Sequence, residues 1–288
     1  MGADRDKQGR PLSIPLPERI EARKCLVLAV RPLALILDAE NPPQVPEKLA
    51  PMMARLRELI DEGESIGVEH LIKFANIEVG ESETDRAIAC YRKAAQKAEE
   101  SNDDRLVGIA LSNMGAVLVV QKQFNLALRM LQQAVTHAGN CGELGVKAQA
   151  LFNMAVVFKQ LEQSMMARQS FEQALDAAEK ESQLDLVARC LQNLAYFEFS
   201  DKELPRAIEY LRRALDVYAM TGNTMDQVRA YYNIGLVYAD HSDFTSAIRS
   251  LERAREIRNL REVEYEGDRI EQALELVRKR QRDLGANT

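Results

Sequence analysis

The sequence predicts an all-α fold, a solenoid of stacked antiparallel helix pairs, and three observations carry that prediction. Ala87, Ala127, Ala167, Ala207 and Ala247 follow one another at a fixed step of 40 residues. Seven residues after each comes a second alanine (Ala94, Ala134, Ala174, Ala214, Ala254), with a large apolar residue between the two: Tyr91, Leu131, Phe171, Leu211 or Leu251. Upstream, a small residue stands in phase in every copy: Ala75, Gly115, Ala155, Ala195 and Gly235. A constant period of this length marks a repeat architecture. Helices approach closely only where side chains are small, and a large side chain fills the hole beside each contact, so small, large and small at these spacings specify paired helices.

The spacing Tyr231, Ile234, Gly235, Tyr238, then Ala247, Leu251, Ala254, resembles the tetratricopeptide repeat signature, and Leu111, Met114, Gly115, Leu118, Ala127, Leu131 and Ala134 match it equally. The usual period of that family is about 34 residues and its repeat closes on a proline. Here Gly139, Glu179, Ala219 and Asn259 replace the proline, and the longer period adds about a turn and a half of helix. The chain is thus similar to the long-repeat branch, represented by kinesin light chains and cell-polarity adaptors that bind extended peptides. That resemblance implies a right-handed superhelix with the first helix of each pair on its concave side.

The elements follow in order. Residues 1–16 mix charge, glycine and proline without periodicity and are expected to be a flexible tail. Residues 17–65 are expected to hold a helix from Pro17 to Arg31, ended by Pro32, and a degenerate entry repeat over 33–62, with Ala54 in phase. Five good copies occupy 66–260, at about 66–100, 104–138, 144–180, 184–220 and 224–258. Their turns are short and polar, and Ser, Asp and Thr there are expected to cap the following helices. After Arg258 the pattern fades. Residues 261–288 are expected to form a capping helix from Gly267, with Ile270, Ala273, Leu274 and Val277 on one stripe, and a short tail.

Composition excludes several functions. A net charge of -6 without a clustered basic excess argues against a dedicated nucleic-acid binder. The apolar run from Cys25 to Leu37 is interrupted by Arg31 and Pro32 and is too short to span a bilayer. Cys25, Cys90, Cys141 and Cys190 are widely separated and read as reduced thiols of a cytoplasmic protein. His70, His137 and His241 fall in different copies, none beside a cysteine or carboxylate at ligand spacing, and read as buried or turn histidines. No phosphate loop or nucleophile motif appears, so no catalytic residue, metal or cofactor is expected.

One polar residue recurs on the first helices. Asn113, Asn153, Asn193 and Asn233 share a phase in four consecutive copies, with Lys73 in the first. Asparagine costs about half a kcal/mol against alanine in a helix. Its amide both donates and accepts, as pairing with a foreign backbone requires. The resemblance implies that this ladder lines the groove and holds a partner's main chain; bridging between adjacent repeats is the competing reading. Four residues before each asparagine come Ile109, Gln149, Arg189 and Arg229, and three after come Ala116, Val156, Tyr196 and Leu236. Arg189 and Arg229 are expected to receive an acidic group of the partner, beside apolar contacts at Tyr196 and Leu236; a solvated or salt-bridged face is the competing reading for the arginines. Ser112, Phe152, Gln192 and Tyr232 stand where a chaperone-tail clamp would need basic residues. The run Arg278-Lys279-Arg280-Gln281-Arg282 reads as a solvated terminal helix face. The expected function is a non-enzymatic adaptor or scaffold that binds a protein or peptide segment in its concave groove. The contrasting expectation is a structural solenoid subunit of a large ciliary or cytoskeletal assembly.

Overall fold

The computed structural model describes residues 66–261 and 267–285, with Ala54, Arg57 and Glu58 of a preceding helical stretch. The expected tail, the helix at 17–31 and nearly all of the entry repeat at 33–62 lie outside the described residues. Every element among those residues is an α-helix. Two compact units, Met1–Gly142 and Glu143–Thr288, divide the chain.

The first unit contains α1 (Val68–Gly80), α2 (Thr84–Glu100), α3 (Asp104–Val120) and α4 (Phe124–Cys141), each packed on the next. The second contains α5 (Leu144–Gln160), α6 (Ser164–Lys180), α7 (Leu184–Ser200), α8 (Leu204–Thr221), α9 (Thr224–Asp240), α10 (Phe244–Arg261) and α11 (Gly267–Gly285), again each packed on its successor. The five copies read from the sequence are the pairs α1/α2, α3/α4, α5/α6, α7/α8 and α9/α10.

Packing follows the small, large, small rule. All ten alanines of the series, from Ala87 to Ala254, have no exposed surface, and Tyr91, Leu131, Phe171 and Leu251 are equally sequestered. A methyl group added at Gly115 would lie 2.6 Å from Leu131, and one at Gly235 would lie 2.7 Å from Leu251. The large residue of each second helix therefore seats directly over the small residue of the first. This is the close approach that the sequence required.

The turns hold a regularity that the sequence did not announce. A residue in the left-handed region falls every 20 positions, at Ser82, Asn102, Lys122, Gly142, Glu162, Ser182, Lys202, Gly222 and Ser242. After most of them the next amide reaches back five residues, as from Glu83 to the Glu78 carbonyl (2.8 Å), Gln123 to Leu118 (2.9 Å), Gln183 to Ala178 (2.9 Å) and Asp243 to Tyr238 (3.0 Å). This bond belongs to the Schellman ending, which satisfies the orphan carbonyls of a helix terminus. The residue that donates it opens the next helix. Side-chain capping is accordingly sparser than expected. Asp103, Asn223 and Asp243 accept from the amides of Leu106, Asp226 and Ser246 at 3.0, 3.2 and 3.0 Å. Glu83, Gln123, Gln163, Gln183 and Glu203 make no such bond.

The period also runs further than expected. In α11, Ile270, Leu274 and Val277 stand 40 residues after Ala230, Ile234 and Val237, and Arg269 and Leu276 stand 40 after Arg229 and Leu236. Ile270, Leu274 and Val277 are buried in one cluster with Val228, Ala247, Leu251 and Ala254. This helix is the first half of a sixth copy. What fades is the face that would receive another second helix, where Glu271, Glu275 and Arg278 replace the phase of Tyr231, Gly235 and Tyr238.

Candidate protein-binding face

Each predicted site residue sits on a first helix, and the structure gives them different surroundings. In the first unit, the Asn113 side-chain amide on α3 donates to Asn76 Oδ1 on α1 at 3.3 Å, and the same oxygen accepts from the Tyr91 hydroxyl at 2.5 Å. Burial pushes the Tyr91 phenol well above the usual tyrosine range. Asn113 thus joins two copies, and the asparagine of the first copy is found one turn past Lys73.

In the second unit, Asn153 on α5 is buried and its Oδ1 accepts from Gln149 at 3.3 Å. Asn193 on α7 accepts from Lys159 Nζ at 3.0 Å and donates to the Arg189 carbonyl at 2.9 Å. Asn233 on α9 is half-buried and makes no side-chain hydrogen bond among the described residues. The phase is shared, but the structure does not give these amides one common arrangement.

The cations rest on rings as well as acids. The Arg189 guanidinium lies 4.3 Å from the Phe152 ring centroid, and Lys159 Nζ lies 4.4 Å from that of Tyr196. Phe152 meets Phe171 edge to face at 5.4 Å, which fixes the platform under Arg189. Burial lowers the Lys159 ammonium from the usual lysine range. Arg229 pairs with Asp226 one turn earlier at 3.1 Å. A surface pair of that kind is worth less than about 1 kcal/mol, so another carboxylate can replace it at small cost.

Tyr196 and Leu236 are 53% and 38% exposed, and Leu276 on α11 is 51% exposed in the same phase. Leu236 lies in a groove of about 380 Å³ with Phe199, Tyr232, Leu276, Arg269 and Arg280. Sequence reasoning missed Arg269 and Leu276 because it ended the repeat at Arg258. Counting two further steps of 40 from Arg189 and Tyr196 would have found both. Lys159 was missed because it reaches the site from the preceding copy.

The histidines differ from the expectation. His137 lies within α4 and its Nδ1 is 2.6 Å from Asp104 Oδ1, a carboxylate 33 residues earlier in sequence but brought beside it by helix pairing. His70 is exposed in the first turn of α1, and His241 is exposed in the turn after α9. Among the described residues no group of three or more histidine, cysteine, aspartate or glutamate side chains could hold a metal ion, and no helix is long and apolar enough to cross a membrane.

The chain belongs to the tetratricopeptide repeat family, which matches residues 107–180, 146–220 and 186–259, together more than half of its length. The repeats build a helical scaffold for protein interaction. Among solved structures the chain is similar to BtubC (BKLC) from P. vanneervenii, 22% identical, covering 88% of this chain and 94% of that one, with a TM-score of 0.61. It is similar to the TPR-like repeats of a kinesin light chain protein from P. anserina, 13% identical, covering 68% of this chain and 96% of that one, with a TM-score of 0.55. A Rap protein complexed with Competence and Sporulation Factor is 16% identical, covering 74% of this chain and 60% of that one, with a TM-score of 0.55. At these identities the likeness is one of fold. No curated protein matches the chain.

Proposed function

We propose that this chain is a non-enzymatic adaptor that holds a segment of a partner protein against the first-helix face of its second unit. The observation that carries this reading is the row Tyr196, Leu236 and Leu276. These large apolar side chains stand at one level on α7, α9 and α11, between 38% and 53% exposed. Apolar surface repeated in register on an outer face marks an interaction site more often than chance exposure does. A second row, Arg189, Arg229 and Arg269, lies seven residues earlier on the same helices, about 10 Å along each axis at 1.5 Å per residue. A partner segment crossing these helices meets leucine and tyrosine along one edge and guanidinium groups along the other. Its complement is a segment with an apolar edge and an acidic edge. Asn193 and Asn233 lie between the rows, where a side-chain amide can pair with main chain.

The test places a photo-reactive amino acid at Tyr196, at Leu236 and, as a control on a second helix, at Met165, in cells that make the protein. The expected result is crosslinking of one partner segment at Tyr196 and Leu236 and none at Met165. Crosslinks concentrated at Met165 would sink this reading and favour a structural subunit that binds through its second helices. Arg189→Ala and Arg229→Ala are each expected to weaken the captured partner roughly threefold to tenfold, as for hydrogen bonds to a charged group that remain partly solvated.

A further inference from the structure

We propose that the groove bounded by α7, α9 and α11 seats the apolar face of an acidic amphipathic helix from a partner protein, its carboxylates meeting Arg280 and Arg269. This rests on the protein-binding reading above and adds both a place and a partner chemistry.

The groove measures about 380 Å³, within the range of cavities that hold ligands. Ala273 and Val277 form a buried floor, Phe199 and Tyr232 stand beside it, and Leu236 and Leu276 remain half in solvent. Those two leucines are poised to lose water on contact, which is what gives a docking surface its affinity. The polar rim is unequal in charge: Arg269 and Arg280 line it against a single acid, Asp240. Beyond the rim, Lys279 and Arg282 are exposed on the same turn of α11.

This local excess stands out in a chain whose net charge is -6. On the opposite side of α11 the charges are matched at home, Arg278 with Glu252 at 2.6 Å and Glu271 with Arg255 at 3.5 Å. Arg280 has no ion pair among the described residues. The helix therefore spends one side on its own solenoid and leaves the other cationic beside an apolar slot. A phosphate backbone would use the cations and leave the leucines wet, so a protein segment fits better than a nucleic acid. Electrostatic complementarity of this kind selects partners by sign.

The experiment uses the full chain and two synthetic amphipathic helical peptides with leucines on one face and either glutamates or lysines on the other. Binding is read by fluorescence anisotropy, with circular dichroism confirming that each variant folds. The glutamate peptide is expected to bind at least about tenfold more tightly than the lysine peptide. Arg280→Glu is expected to reverse that preference, and Leu276→Asp to abolish binding of both; each residue is exposed, so neither change threatens the fold. Equal binding of the two peptides, binding of neither, or binding of the glutamate peptide unchanged by Leu276→Asp would overturn the proposal. Binding to phosphatidylglycerol vesicles that survives Leu276→Asp would overturn it too, by assigning the cations to a lipid surface. If partner crosslinks persist at Tyr196 while the groove variants have no effect, the groove fails and the broader reading stands. Loss of both removes the broader reading.

Discussion

Gly235 shows how one atom can govern a helix pair. A methyl there would come within 2.7 Å of Leu251 and 3.3 Å of the Ala247 carbonyl, and the latter cannot rotate away. Gly235→Val is expected to destabilise the second unit by about 1–3 kcal/mol, the usual cost of overpacking, measurable as a lowered urea midpoint. An unchanged midpoint would mean that the pair is not held at this point. The thiols allow a second check. Burial pushes the Cys190 thiol up to about 12, so almost none is thiolate near neutrality, whereas Cys141 is exposed. Iodoacetamide at pH 8 is expected to label Cys141 in the native protein and to reach Cys90 and Cys190 only after denaturation, as mass spectrometry of the digested chain would show. The two kinds of residue were not equally legible from sequence. Alanine and glycine positions were, because volume is written in residue type. The surroundings of the asparagines were not, because Asn76, Lys159 and Gln149 come from other turns or other copies and carry no local mark.

At the scale of elements, helix lengths and pairing followed directly from the period, while the endings did not. The left-handed turn positions hold Lys122, Glu162, Ser182 and Lys202 as readily as Gly142 and Gly222, so glycine, the usual signal, is absent from most of them. The sixth first helix was hidden for a related reason: its buried stripe keeps the period, but Glu275 stands where a small residue identifies the others. Charge there has a physical purpose. Glu271, Glu275 and Arg278 occupy the face on which a further second helix would pack, and a solenoid end must be polar to stay unpaired. Restoring the previous copy's residues, with Glu271→Tyr, Glu275→Gly and Arg278→Tyr, is expected to produce concentration-dependent association beyond that of the unaltered protein. Light scattering would detect it. A mass equal to that of the parent at every concentration would show that these charges do not guard the end.

At the scale of the whole molecule, stability is distributed along the chain. The second unit has its own buried clusters, one around Leu211 and Ile234 and another around Leu251 and Leu274, and it closes with α11. Stacked repeats draw their stability from their own helices and from nearest neighbours. Residues 143–288 are therefore expected to fold when expressed alone, with a helical circular dichroism spectrum and a cooperative melt. A random-coil spectrum would show that the first unit is needed.

The even spacing of the left-handed turns limits how such a chain can change. Each helix hands over to the next without slack, so one inserted or deleted residue would turn everything after it by about 100° and swing buried alanines into water. Shortening or lengthening is tolerable only in whole modules of 40 residues, and a designer could splice at Ser182 or Gly222 and expect the flanking copies to meet in register.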